Sequence, residues 1–164
     1  MVLTSFCHAQ EINGQLNING KSKVNLELTN HSAVQLFKEF LSGRYKTQFS
    51  FKASDVPKNK YDETVVHFEF ITTVKKDGKL VKNVIRKQPI PYFPGDIAIS
   101  GAESFDFISI LSTMNSKGVI DPEVIKSGKY GVMPAGLYEV QLMVRPVGFK
   151  GEISPVNLMF NVSK

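Results

Sequence analysis

An Asp-Gly pair between two runs of alternating apolar and polar residues is the feature that most limits how this chain can fold. Asp77 and Gly78 separate residues 64–75 from residues 79–87, and such a pair between alternating runs is the strongest short-range signal for a β-hairpin. With these two residues at the centre of the turn, counting outward predicts the pairs Val74 with Val81, Phe70 with Ile85, Ile71 with Val84, and Glu69 with Arg86. The sequence therefore predicts a hairpin whose register stacks apolar pairs on one face.

The same two-residue alternation recurs along the chain between turn signals. It covers residues 24–28, 48–52, 137–144 and 154–162, and Asn19-Gly20 predicts a second type I′ turn. Residues 33–41 fit a helix and a bent strand equally well. Residues 102–115 also fit both patterns, and we predict a strand there because Phe and Ile dominate the segment. Asp121 followed by Pro122 predicts a short helical turn.

The C-terminal part of the chain resembles, in architecture, the end of many extracellular immunoglobulin-like sandwiches. Over roughly the last 60 residues, a Pro/Gly turn at 134–136 precedes a Tyr-bearing strand, a loop and a last strand ending in VNLMFNV. The Cys…Trp…Cys arrangement of true immunoglobulin domains is absent from the sequence. We predict an all-β fold, an immunoglobulin-like antiparallel β-sandwich of about seven to nine strands with one or two short helical turns. Residues 10–164 are expected to form one domain.

Residues 1–9 resemble the end of a signal peptide. Cys7 and Ala9 occupy the −3 and −1 positions of a small-x-small cleavage site, so a mature chain would begin at Gln10. Cys7 is the only cysteine, and a mature chain without it would hold neither a disulfide nor a thiolate metal site. We expect a periplasmic or extracellular protein, and the alternative is a cytoplasmic one with a frayed N-terminus.

The sequence shows no constellation of residues that would carry out a reaction. His31 and His67 are far apart and have no neighbouring ligands, and neither a Gly-x-Ser-x-Gly nor a phosphate-binding loop is present. We expect no catalytic residue, no metal site and no cofactor. Carbohydrate-binding sandwiches commonly present aromatic platforms, above all Trp. This chain has no Trp, and its candidate platforms are Tyr45, Tyr61, Tyr92 and Tyr130.

Basic residues concentrate on the predicted hairpin, and this is the one positive signal for a binding site. They are Lys75, Lys76, Lys79, Lys82, Arg86 and Lys87. The predicted register places Lys82 and Arg86 on the outer face of the hairpin, while Lys75, Lys76 and Lys79 crowd its tip. Such a surface attracts an anionic partner, although edge lysines also serve to prevent sheet-to-sheet aggregation. The net charge of +5 is spread along the chain, so we expect no nucleic-acid partner.

These features predict a non-enzymatic, exported interaction or accessory module whose partner is another protein, bound by loops or by strand addition at an open sheet edge. The first alternative is a secreted enzyme or enzyme inhibitor that acts through the proline-rich loop 88–101, whose prolines would lower the ordering cost of binding. The second is an anion- or polysaccharide-binding surface on the basic hairpin 75–87. No apolar stretch approaches the roughly 18 residues of a membrane span, and the sequence carries no signal for an oligomeric state.

Overall fold

A computed structural model of the protein describes residues 10–28, 31–86 and 88–163. The predicted signal-peptide remnant and Lys87 lie outside these ranges. The strands are β1 (Glu11–Ile18), β2 (Lys23–Asn25), β3 (Thr47–Ser54), β4 (Val66–Lys76), β5 (Lys79–Ile85), β6 (Ile90–Tyr92), β7 (Gly95–Ile99), β8 (Gly136–Pro146), β9 (Lys150–Ser154) and β10 (Val156–Val162). The helices are α1 (Ala33–Leu41), α2 (Gly101–Ser104), α3 (Phe107–Ser112) and α4 (Glu123–Lys126).

The strands form two sheets, and the predicted β-rich fold is confirmed at that level. One sheet has the order β7-β3-β1-β9, and the other has the order β2-β10-β8-β4-β5 with β6 also paired to β4. Each sheet is mixed rather than purely antiparallel, because β1 runs parallel to β9 and β10 runs parallel to β2. In the described ranges the strands number ten, one more than the largest number predicted.

The two sheets share one hydrophobic core. Inward-facing side chains of β1, β3, β4, β8 and β10 alternate with outward-facing ones and join a single buried cluster. Phe68 of β4 is central to it, because its ring packs edge-on against Phe49 and Phe51 of β3, with centroids 4.9 and 4.7 Å away. Aromatic contacts between β4 and β3 therefore pack the two sheets against each other.

The predicted hairpin is present, but the predicted register is wrong by one residue from Val74 onward, away from the tip. Asp77 and Gly78 have φ angles of 51° and 74°, as a type I′ turn requires, and Asn19 and Gly20 form the second such turn. Lys75 pairs with Leu80 as predicted, but the next pair is Val74 with Lys82. Val81 is thus an extra residue in a β-bulge, and every later β5 residue faces the opposite side from the predicted one.

The helices exceed the one or two short turns predicted from the sequence. Ser32 caps α1, its Oγ accepting from the Gln35 amide, which settles the ambiguous segment 33–41 as a helix. The strand predicted over residues 102–115 is wrong, because α2 and α3 occupy most of it. Phe107, Ile110 and Leu111 are buried at helical spacing, and the Phe107 ring contacts Phe40 of α1. Tertiary packing therefore overrides the strand preference of Phe and Ile.

The short turn predicted after Asp121 is confirmed as α4. The Asp121 carboxylate accepts a hydrogen bond from the Glu123 amide at 3.0 Å, which stabilises the start of this turn. None of the helices in the described ranges is long and apolar enough to cross a membrane.

Candidate functional site

The bulge at Val81 divides the predicted basic residues between two faces of the hairpin. Lys75 lies on the outer face of the sheet, where it pairs with Leu80 and with Glu139 of β8. Lys82 pairs with the buried Val74, and the Arg86 amide donates to Phe70, so both belong to the inner face. The prediction that Lys82 and Arg86 lie on the outer face is therefore wrong. The one extra residue moves the side chains that follow it in β5 to the opposite face of the sheet.

Lys76 is a structural residue of the hairpin tip. Its side chain is only 15% exposed, and its Nζ lies 2.6 Å from Asp77 Oδ2. A side chain at Gly136 would place its Cβ 2.7 Å from that Nζ, so the ammonium sits tightly against the start of β8. Asp77 Oδ1 accepts a 2.8 Å hydrogen bond from the Leu137 amide. The hydrogen bond from Lys76, followed by that from Leu137, lowers the pKa of the Asp77 carboxyl.

Arg86 is also engaged within the protein. Its Nη1 donates to the carbonyl oxygens of Glu103 and Ser104, at 3.1 and 3.4 Å, at the C-terminal end of α2. Lys79 and Lys82 are exposed and form no ion pair within 4.0 Å among the described residues. Of the basic residues predicted from the sequence, the pair available to a partner on the inner face is therefore Lys79 and Lys82.

Lys75 borders a polar cavity of about 140 Å³ on the outer face of the β4/β8/β10 region. The remaining lining residues of that cavity are Thr73, Glu139, Gln141 and Asn157. The Gln141 amide donates to Asn157 Oδ1 at 3.2 Å, so the polar groups of this face already bond one another. This cavity is small and separate from Lys79 and Lys82.

A larger cavity of about 330 Å³ lies between α4 and the loops on either side of it. Its apolar lining comes from Met114, Val124, Val132 and Pro134, with Asn115, Ser116, Asp121, Glu123, Ser127 and Lys129 as its polar lining. Exposed apolar side chains come from the same segment of chain: Val119, Ile125, Tyr130 and Val132, each 48–59% exposed. We call the cavity and these four side chains the apolar surface.

The loop that carries part of the apolar surface is held firmly against α1. Gly131 donates its amide to Ser112 and accepts from the Ala33 amide at 2.8 Å, and the Met133 amide donates to the His31 carbonyl. Gly131 has a φ of 84°, and Val34 lies so close to it that an added Cβ would be 3.0 Å from Val34 Cγ2. Val132 is therefore presented to solvent from a fixed backbone.

Two further cavities have a different chemical character. One of about 460 Å³ lies on the outer face of the β3/β1/β9 sheet and is lined mainly by polar side chains such as Asn13, Gln15 and Asp96. The other, of about 320 Å³, lies between the end of α1, the start of β3 and the end of β7. The hydroxyl of Thr47 there is buried and lacks a hydrogen-bond partner in the described part of the chain. This hydroxyl lies against Gly101, where an added Cβ would be only 2.3 Å from Thr47 Oγ1, so a residue larger than glycine does not fit at position 101.

The described residues contain no cluster of three or more His, Cys, Asp or Glu side chains that would hold a metal ion. Ser163 Oγ lies 3.3 Å from His31 Nε2. No carboxylate is hydrogen-bonded to His31 within residues 10–28, 31–86 and 88–163, so this pair lacks the orienting group of a hydrolase triad. His67 is exposed on β4 and contributes its carbonyl to Val147.

The candidate aromatic platforms are dispersed. Tyr45 is buried against Phe40, and Tyr92 packs on Phe49 and Phe70 in the core. Tyr61 and Tyr130 are exposed, and no ring contact joins any two of the four tyrosines in the described part of the chain. A stacked tyrosine platform for sugar rings is thus absent from the described residues.

The proline-rich segment 88–101 is mostly strand rather than loop. It forms β6, paired with β4, and β7, paired with β3, so it passes from one sheet to the other. Phe93 lies in the short turn between these strands and is 56% exposed. The parts of this segment that are free to contact a partner are that turn and the outer edge of β7, which is the last strand of its sheet.

Comparison with known proteins assigns this chain to no family. The chain matches no protein-family model, no curated protein sequence and no solved structure. We therefore argue the function from the geometry of the apolar surface and of the basic hairpin.

Proposed function

We propose that this protein is an exported, non-enzymatic interaction or accessory module, a β-sandwich of the immunoglobulin-like kind that binds another protein in the periplasm or at the cell surface. Binding energy between proteins comes mainly from a few apolar and aromatic side chains that fill well-packed pockets. The apolar surface offers such side chains next to a cavity of about 330 Å³ that a partner's side chain can enter. This surface is the observation that carries the proposal.

The rigidity of the apolar surface supports a binding role. The backbone hydrogen bonds of Gly131 and Met133 fix the loop against α1, so little conformational entropy is lost when a partner binds. Exposed apolar side chains grouped on one part of a surface mark interaction sites more often than isolated ones do, and the 59% exposed Val132 lines the cavity itself.

The export component of the proposal depends on the sequence of residues 1–9. Cleavage after Ala9 would leave the first strand complete, because β1 begins at Glu11. A single cysteine inside the removed segment would leave a mature chain without thiols. Sequencing the N-terminus of the protein from its native cells tests this component. A mature end at Gln10 supports export, whereas an intact Met1 contradicts it.

Affinity capture with matched variants tests the interaction role. Tagged wild-type protein, Val132→Asp and Gln15→Asp are expressed in the native cells, cross-linked and analysed by quantitative mass spectrometry. Val132 lies on the apolar surface, and Gln15 is an exposed residue on the outer face of β1. One envelope or secreted protein should be recovered with the wild type and Gln15→Asp, and lost with Val132→Asp. Recovery that does not distinguish the two variants would contradict the proposal.

An enzyme inhibitor acting through residues 88–101 is the second candidate, and the exposure of Phe93 favours it. The aromatic ring projects from a turn held on both sides by strands, a geometry that suits insertion into a protease pocket. A panel of proteases assayed with wild type and Phe93→Ala tests this candidate. Inhibition by the wild type alone supports it, and no inhibition at micromolar protein removes it.

A further inference from the structure

The outer edge of β5 is an open sheet edge with backbone groups available for pairing. The Arg86 amide donates to the Phe70 carbonyl, so the hydrogen-bonded pairs of this antiparallel ladder continue at Thr72 with Val84 and at Val74 with Lys82. The intervening residues Asn83 and Ile85 must therefore direct their N–H and C=O groups away from β4. β5 has no second neighbour in the described sheet order.

The side chains along this edge differ in character between its two faces. Lys79 and Lys82 lie on the inner face and have no ion-pair partner within 4.0 Å in the described ranges. Leu80 and Ile85 lie on the outer face and are 64% and 47% exposed. The inner face also carries the partly buried Val84, and the outer face also carries Asn83. A strand added beside β5 would thus meet the Lys82 ammonium group on one face and the apolar side chain of Ile85 on the other.

We infer that the β5 edge binds an extended segment of a partner protein in which acidic residues alternate with apolar ones. This inference rests on the proposed interaction role and adds a second, chemically distinct site to it. Main-chain hydrogen bonds to Asn83 and Ile85 supply the affinity, and Lys82 selects for a carboxylate. Charge complementarity identifies the occupant, because a strand with basic side chains would meet Lys79 and Lys82 with like charge.

The same lysines argue against two other occupants. A second copy of this chain paired edge to edge would bring a second set of the basic side chains Lys79, Lys82 and Arg86 to the same face, and like charges across paired strands destabilise a sheet. An extended polyanion would use the whole basic hairpin, but Lys76 and Arg86 are engaged within the protein and Lys75 is on the opposite face. A lone pair of lysines beside unpaired backbone groups suits a strand better than a polyanionic surface.

The test uses two synthetic peptides of about eight residues, one alternating Glu with Val and the other alternating Lys with Val. Binding to the full chain is measured by calorimetry, and amide hydrogen exchange is followed residue by residue. The Glu peptide should slow exchange of the Asn83 and Ile85 amides, and the Lys peptide should not. Lys82→Glu should weaken Glu-peptide binding by about tenfold or more. The matched control Lys52→Glu, an exposed residue of β3 in the other sheet, should bind as the wild type does.

Several outcomes would overturn the inference. Equal binding of the two peptides would remove the charge selection, and binding without slowed exchange at Asn83 and Ile85 would remove the strand pairing. Salt-sensitive retention on heparin without peptide binding would favour an anionic polymer instead. Val132→Asp should leave peptide binding unchanged. If the Glu peptide does not bind but a cellular partner is still lost in Val132→Asp, the β5 inference is wrong and the proposed interaction role stands.

If the Glu peptide binds but no cellular partner depends on Val132, the apolar surface is wrong as a binding site and the β5 inference stands.

Discussion

Removing the Phe68 ring should destabilise the protein more than any change outside the core, because this ring connects the two sheets. Phe68 is fully buried, and its contacts with Phe49 and Phe51 cross from one sheet to the other at 4.9 and 4.7 Å. Truncation of a buried Phe to Ala costs about 3–5 kcal/mol in lost transfer free energy and cavity formation. A typical domain has only about 5–15 kcal/mol of folding free energy in total. Phe68→Ala should therefore remove a large share of the stability.

Urea denaturation followed by circular dichroism measures this loss. With an m-value of about 1–3 kcal/mol/M for a domain of this kind, the midpoint should fall by at least about 1 M while the slope stays constant. Phe93→Ala is the matched control, because that ring is exposed and its loss should change the unfolding free energy by less than about 0.5 kcal/mol. A double-mutant cycle with Phe49→Ala should give a coupling of about 0.5–1.5 kcal/mol.

Two results would refute the packing described for these sheets. A Phe68→Ala variant within about 1 kcal/mol of the wild type would mean that the ring does not fill a core. A coupling of zero between Phe68 and Phe49 would mean that the two rings do not meet, whatever each costs separately.

Three further changes test the register and the titrating groups. Gly14→Ala should cost about 1–3 kcal/mol in denaturant unfolding, because its Cβ would lie 2.2 Å from the Ser50 carbonyl oxygen; a neutral effect would refute the β1–β3 register. The lowered pKa of Asp77 means that the wild type loses stability as pH falls from the ordinary value of 3.8 through the folded one. Asp77→Asn should flatten that acid limb in thermal unfolding, and an unchanged limb would contradict the pairing. Burial raises the pKa of Tyr138 above its ordinary 10.0, so stability should fall as pH rises past that value. Tyr138→Phe should reduce this alkaline loss and leave the part that comes from Tyr92, whose pKa burial also raises. An unchanged loss would show that the Tyr138 phenol is not its source.

The fold was predictable where local geometry alone decides it. Asp77-Gly78 and Asn19-Gly20 adopt positive φ angles that few other residue pairs tolerate, so both turns follow directly from the sequence. The bulge at Val81 was not predictable, because the apolar pattern of β5 fits a register with or without one extra residue. Helix α3 was missed for a related reason: its Phe and Ile residues satisfy both periods, and tertiary packing, such as the contact of Phe107 with Phe40 of α1, selects the helix.

The candidate site was predictable only in part. The basic residues of the hairpin were identified, but their faces depend on the bulge, and the engagement of Lys76 with Asp77 depends on the position of β8. The apolar surface was missed because its exposed residues Val119, Tyr130 and Val132 lie outside every segment with a predicted period, and because Met114 was assigned to a predicted strand. Large apolar residues in a turn-rich stretch were the signal that would have indicated it, since such residues usually lie in periodic, core-forming segments.

Site-specific photo-cross-linking in the native cells tests the central claim most directly. A photoreactive residue replaces Val132 in one variant and Gln15 in the other, so the apolar surface is compared with an exposed position on the outer face of β1. We predict that Val132 forms a cross-link to one dominant protein of the envelope or the medium, and that Gln15 forms none. Cross-links of equal yield at both positions, or a partner captured at Gln15 and not at Val132, would contradict the account.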